Sequence, residues 1–84
     1  MEEVSEPVNV REVGIWNALL EHEARRECAP EHWHGELLGH ANALARLGVI
    51  SEEDLREMLE LADAAFGHVI EEKEAQAWLR GKTD

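Results

Sequence analysis

The stretch Ser51-Glu52-Glu53-Asp54-Leu55-Arg56-Glu57-Met58-Leu59-Glu60-Leu61-Ala62-Asp63-Ala64-Ala65-Phe66-Gly67-His68-Val69-Ile70 decides the fold. Within it and just beyond, Leu55, Leu59, Ala62, Phe66, Val69 and Lys73 step alternately by four and three, a heptad-like seam flanked by Met58, Ala65 and Ile70. Ser51 reads as the N-cap, with Asp54 three positions on and Glu52 and Glu53 in the first turn, where acids suit the positive end of the helix dipole. Only Gly67 interrupts the helix-forming residues before Gly81. A helix over 52–80 holds about 29 residues and is ~43 Å long. A compact chain of this size has a radius of gyration of only ~12 Å. This helix therefore outruns its own domain or bends near Gly67.

Upstream, Trp33, Leu37, Ala41, Leu44 and Leu47 repeat at helical spacing and predict a second helix over 31–47. Pro30 suits its first position, and Gly48 suits the residue just past its end, with Val49 and Ile50 supplying the apolar contact of such a stop. Further upstream, Val13, Trp16, Leu19, Leu20 and Ala24 predict a first helix over 10–28, capped by Asn9 with Glu12 near its third position. Gly14 weakens its first turn by up to ~1 kcal/mol relative to alanine. The expected architecture is all-α: a small three-helix domain over 10–80. Helices two and three form an antiparallel hairpin, helix one packs across it, and the C-terminal helix is long. Residues 1–9 read as a flexible acidic tail and 81–84 as a second tail.

The composition excludes several functions. The chain has 84 residues, room for one domain, and carries 19 Asp and Glu against 8 Lys and Arg, a formal net charge of −11. That is the opposite of the footprint left by proteins that grip phosphate backbones, so direct nucleic-acid binding is not expected. A single cysteine excludes an internal disulfide framework and a multi-cysteine zinc site. No apolar run is long enough to span a membrane, and the acidic start is unlike a secretory signal, so a soluble, cytoplasmic protein without membrane association is expected. The excess of Arg over Lys, with abundant Ala, Glu and Leu, suggests a GC-rich bacterial source.

Chemistry-bearing residues are present, but none forms a specific pattern. His32, His34 and His40 are the metal-ligand candidates, yet spacings of two and six do not share a helix face, and zinc needs three or four converging ligands. No metal and no cofactor is expected. Cys28 falls at a helix end among Glu23, Glu27 and Glu31, a setting that disfavours the thiolate a nucleophile requires. No glycine-rich loop cradles a phosphate, and catalysis is not expected. The stretch 43–51 resembles the turn of a helix-turn-helix. The helix that would read bases begins Glu52-Glu53-Asp54, which phosphate repels.

Two features of the third helix point toward a partner. Nine of its residues in 51–80 are acidic and three basic, so this element holds −6 of the total charge. Glu53, Glu57, Glu60 and Asp63 form its acidic face, with neighbouring carboxylates ~5–6 Å apart. Trp78 and Leu79 sit near the far end, where little of the chain remains to cover them. The expected function is a non-catalytic regulator or adaptor. It would bind a protein partner, or itself as a homodimer, through Leu55, Leu59, Phe66, Val69, Trp78 and Leu79. The alternative is an acidic inhibitor that mimics nucleic acid, similar in size and charge to anti-restriction and anti-CRISPR proteins. A metal-binding protein using His32, His34 and His40 is a third and remoter reading.

Overall fold

The computed structural model describes residues 7–82, with four helices in this part of the chain: α1 (Val8–Leu20), α2 (Glu23–Cys28), α3 (Pro30–Arg46) and α4 (Glu52–Lys82). The architecture is all-α, with no strand among the described residues. Helices α3 and α4 form the hairpin, and α1 packs against α3.

The hairpin turn is built from the signals its sequence carries. Gly48 adopts φ +76°, the left-handed conformation that glycine enters without a Cβ penalty. Its N–H donates to the Ala45 carbonyl at 3.1 Å, and the Val49 N–H donates to the Leu44 carbonyl at 2.9 Å. Together these are the two bonds of a Schellman motif, and they satisfy carbonyls that the helix end would otherwise orphan. Ile50 then buries its side chain in the core. Ser51 Oγ accepts from the Asp54 N–H at 3.0 Å, while the Ser51 N–H reaches the Asp54 carboxylate at 3.5 Å, a capping box that starts α4.

The first predicted helix is two helices. α1 stops at Leu20, and the His22 backbone (φ −77°, ψ 97°) is extended. His22 Nδ1 accepts from the Arg25 N–H at 3.3 Å, so a histidine caps α2. The apolar spacing runs through this break without a gap, but Ala24, read as part of the buried face, is exposed. The N-terminal boundary also differs. Pro7 occupies the cap position, its carbonyl accepting from the Arg11 N–H at 3.1 Å, and Asn9 lies inside α1. Of the tails expected over 1–9 and 81–84, Val8 and Asn9 belong to α1 and Gly81 and Lys82 to α4, while residues 1–6 and 83–84 lie outside the described part. Between α2 and α3, Ala29 leaves the helical region (φ −143°, ψ 67°), as the residue before a proline is pushed to do, and Pro30 opens α3 as expected.

Two tryptophans lock α1 to α3. Trp16 Nε1 donates to the Leu37 carbonyl at 2.9 Å, and Trp33 Nε1 donates to the Leu19 carbonyl at 2.7 Å. Residue numbers rise on one helix as they fall on the other, so α1 and α3 are antiparallel. Both indoles are fully buried, and each polar N–H that enters the core finds a partner. Leu37, Ala41 and Leu44 from α3 and Met58, Ala62 and Val69 from α4 complete the core, which contains no buried polar side chain among the described residues.

Candidate interaction surface

The predicted contact residues divide into two groups. Val69 is buried, and Leu55, Leu59 and Phe66 are partly buried against the domain's own core. The seam of α4 is covered by α3 for as long as it stays apolar. Lys73, the next seam position, leaves the pattern: its Nζ donates to the Glu27 carbonyl at 2.9 Å, holding the end of α2. A cation there suits both the orphan carbonyl and the negative helix end.

Past that point α4 continues as a projecting arm. Every residue from 71 to 81 is exposed. Trp78 is 62 % exposed and Leu79 57 %. At 100° per residue, Trp78 lies on the side of α4 opposite Met58, Ala62 and Val69. Glu53, Glu57, Glu60 and Glu71 lie within about 60° of one another on that same side. All four are exposed and none has an ion-pair partner among the described residues. One face of α4 thus carries a row of exposed carboxylates, bordered by Arg56, that ends at an exposed indole.

Asp63 does not belong to this row. It turns toward α3, where its Oδ1 lies 2.8 Å from His34 Nε2. The His34 ring stacks on Phe66, with centroids 4.3 Å apart and planes 15° from parallel. This pairing ties the middle of α4 to α3.

The histidines considered as ligands go to separate carboxylates. His32 Nε2 is 3.4 Å from Glu36, which also pairs with Arg25, and His40 Nε2 is 3.7 Å from Glu12 on α1. Among the described residues, no three His, Cys, Asp or Glu side chains converge on a point where a metal ion could sit. Cys28 is exposed at the end of α2, beside a shallow depression that Arg25 and His32 also line. No helix among the described residues is long and apolar enough to cross a membrane.

Leu47, read as the last residue of the second helix's apolar stripe, lies just past the end of α3 and is exposed, and the periodicity also passed over exposed apolar residues such as Val10 and Ile15 on α1 and Leu61 on α4. Leu61 falls outside the stripe by about a third of a turn, and that offset was its one visible signal. Compared with known protein families, with characterised proteins and with solved structures, the chain matches none.

Proposed function

We propose that this protein is a non-catalytic interaction module that docks on a protein partner through the outer face and projecting end of α4. The observation that carries this reading is the exposure of Trp78 and Leu79 on an arm that the domain core does not cover. A large aromatic side chain gains most of its burial energy only when something covers it, and tryptophan is enriched among residues that dominate binding energies. The carboxylates on the same face favour a partner with a basic surface, whose arginines can pair with Glu71 and stack on the indole. Such charges raise the rate of encounter and select the partner, while the indole and Leu79 supply the apolar contact.

A second reading rests on Glu53, Glu57 and Glu60. Their unpaired carboxylates on one helix face suit occupation of a nucleic-acid-binding site on a target protein, with the chain acting as an inhibitor.

The two readings separate in a binding assay with the protein that co-purifies with the tagged chain from its host. The docking reading expects Trp78→Ala combined with Leu79→Ala to abolish the complex, with modest salt sensitivity. The mimic reading expects Glu53→Lys combined with Glu57→Lys to abolish it, with affinity falling steeply as salt rises. A complex indifferent to the loss of Trp78 and Leu79 overturns the first reading. Light scattering of the pure protein identifies the partner as a second copy if the mass is twice 9.5 kDa and Trp78→Ala halves it.

A further inference from the structure

Helices α1 and α4 each pack against α3 but hardly touch one another. Both run antiparallel to α3, so they lie in the same sense with a valley between them. That valley is an open groove of about 580 Å³, reaching from Asn9 to Asn17 along α1 and from Asp54 to Leu61 along α4. Val13, Trp16 and Met58 line its interior side, and its walls expose Val10 and Leu61, each 51 % accessible. Among the described residues its charged lining is Asp54 and Glu57, with no Lys or Arg.

We propose that this groove is a second docking surface, and that its occupant is an amphipathic helix of a partner protein, apolar on one face and flanked by Lys or Arg. The inference rests on reading the chain as an interaction module, but it places a contact on the opposite end of the domain from Trp78. Two parallel helices leave a valley that a third helix fills by seating side chains three and four residues apart. The groove covers about two helical turns, enough for such a pair of anchors. The charge decides which helix fits. With Asp54 and Glu57 on the rim and Glu53 and Glu60 exposed beside it, basic flanks are attracted and acidic ones repelled. A second copy of this chain carries the same net charge of −11 and is the less favourable occupant.

The probe is a synthetic peptide of about 14 residues, roughly four helical turns, with leucines at helical spacing and lysines elsewhere. A matched peptide carries glutamates in place of the lysines. Binding to the full chain is followed by calorimetry and by amide chemical shifts at physiological ionic strength. The expected result is saturable binding of the lysine peptide, with shifts centred on Val10, Gly14, Met58 and Leu61, and none of the glutamate peptide. Leu61→Glu and Val10→Glu should each weaken binding about tenfold or more, although each adds a negative charge. Both positions are half-exposed, so circular dichroism should show helicity unchanged. Glu57→Gln should weaken binding, and Trp78→Ala should leave it as it is.

Equal binding of both peptides, shifts elsewhere, or indifference to Leu61→Glu overturns the proposal. A pure protein that dimerises and becomes monomeric on Leu61→Glu also overturns it, by making the occupant a second copy. If Trp78→Ala abolishes binding while Leu61→Glu does not, the groove fails and docking through α4's end stands. If neither change alters binding, the groove fails, and docking through α4's end is judged by the Trp78 and Leu79 double variant with the natural partner.

Discussion

The indole N–H of Trp33 donates to the backbone carbonyl of Leu19 across 2.7 Å, joining the start of α3 to the last turn of α1. That carbonyl lies where a helix end leaves acceptors short of intrahelical partners, so the bond fastens α1 at the place where the chain breaks its helix. Replacing Trp33 with phenylalanine keeps most of the apolar burial and removes the donor. A loss of about 1–2 kcal/mol in unfolding free energy is expected. Trp33→Ala should cost about 3–5 kcal/mol by leaving a cavity as well. Urea unfolding followed by helical circular dichroism measures both.

Two glycines should respond in opposite directions to alanine. Gly48 holds φ +76°, so Gly48→Ala should cost about 1–2 kcal/mol from backbone conformation alone, since a Cβ there meets no neighbouring atom. Gly67 lies inside α4, and a Cβ there also meets nothing. Gly67→Ala should therefore stabilise by about 0.5–1 kcal/mol. Thermal unfolding of the two variants distinguishes the signs.

The Lys73 ammonium is the link between α4 and the end of α2. Lys73→Met keeps the length of the side chain and removes the donor. Amide hydrogen exchange should quicken across 23–28 and stay unchanged in the α3–α4 core, because α2 is a short helix with no buried residue.

His34 is held from two sides, by Asp63 and by the face of Phe66. Asp63 is largely exposed, so Asp63→Asn should cost less than about 1 kcal/mol. Phe66→Ala removes the stacking partner and part of the core packing and should cost about 2 kcal/mol. Comparable losses from the two substitutions would mean that the ion pair, rather than the ring, holds α4 to α3.

Much of the fold was legible because local signals and tertiary packing agree. Pro30, Gly48 and Ser51 occupy the positions their chemistry favours, and Trp16 and Trp33 fall on the faces that the periodicity assigns to the core. The break at Glu21–His22 was hidden because Leu19, Leu20 and Ala24 keep helical spacing across it, and histidine is an uncommon cap. The exchange of indole bonds between α1 and α3 depends on how two helices meet, which periodicity within either does not encode. For the candidate surface, the pattern left Trp78 and Leu79 with little of the chain to pack against, and both are exposed. It could not tell that Lys73 leaves the seam to hold α2, or that Asp63 leaves the acidic row to meet His34. Those depend on which side chains α3 and α2 bring alongside.

The end of α4 is proposed as a contact surface. That role is tested most directly by placing a photo-crosslinking amino acid at position 78 in living cells, with the same residue at Asn42 as a control. Asn42 is exposed on α3, away from the core and from the arm. A discrete protein adduct is expected from position 78 and none from position 42. Adducts from position 42 alone, or equally from both, would contradict it.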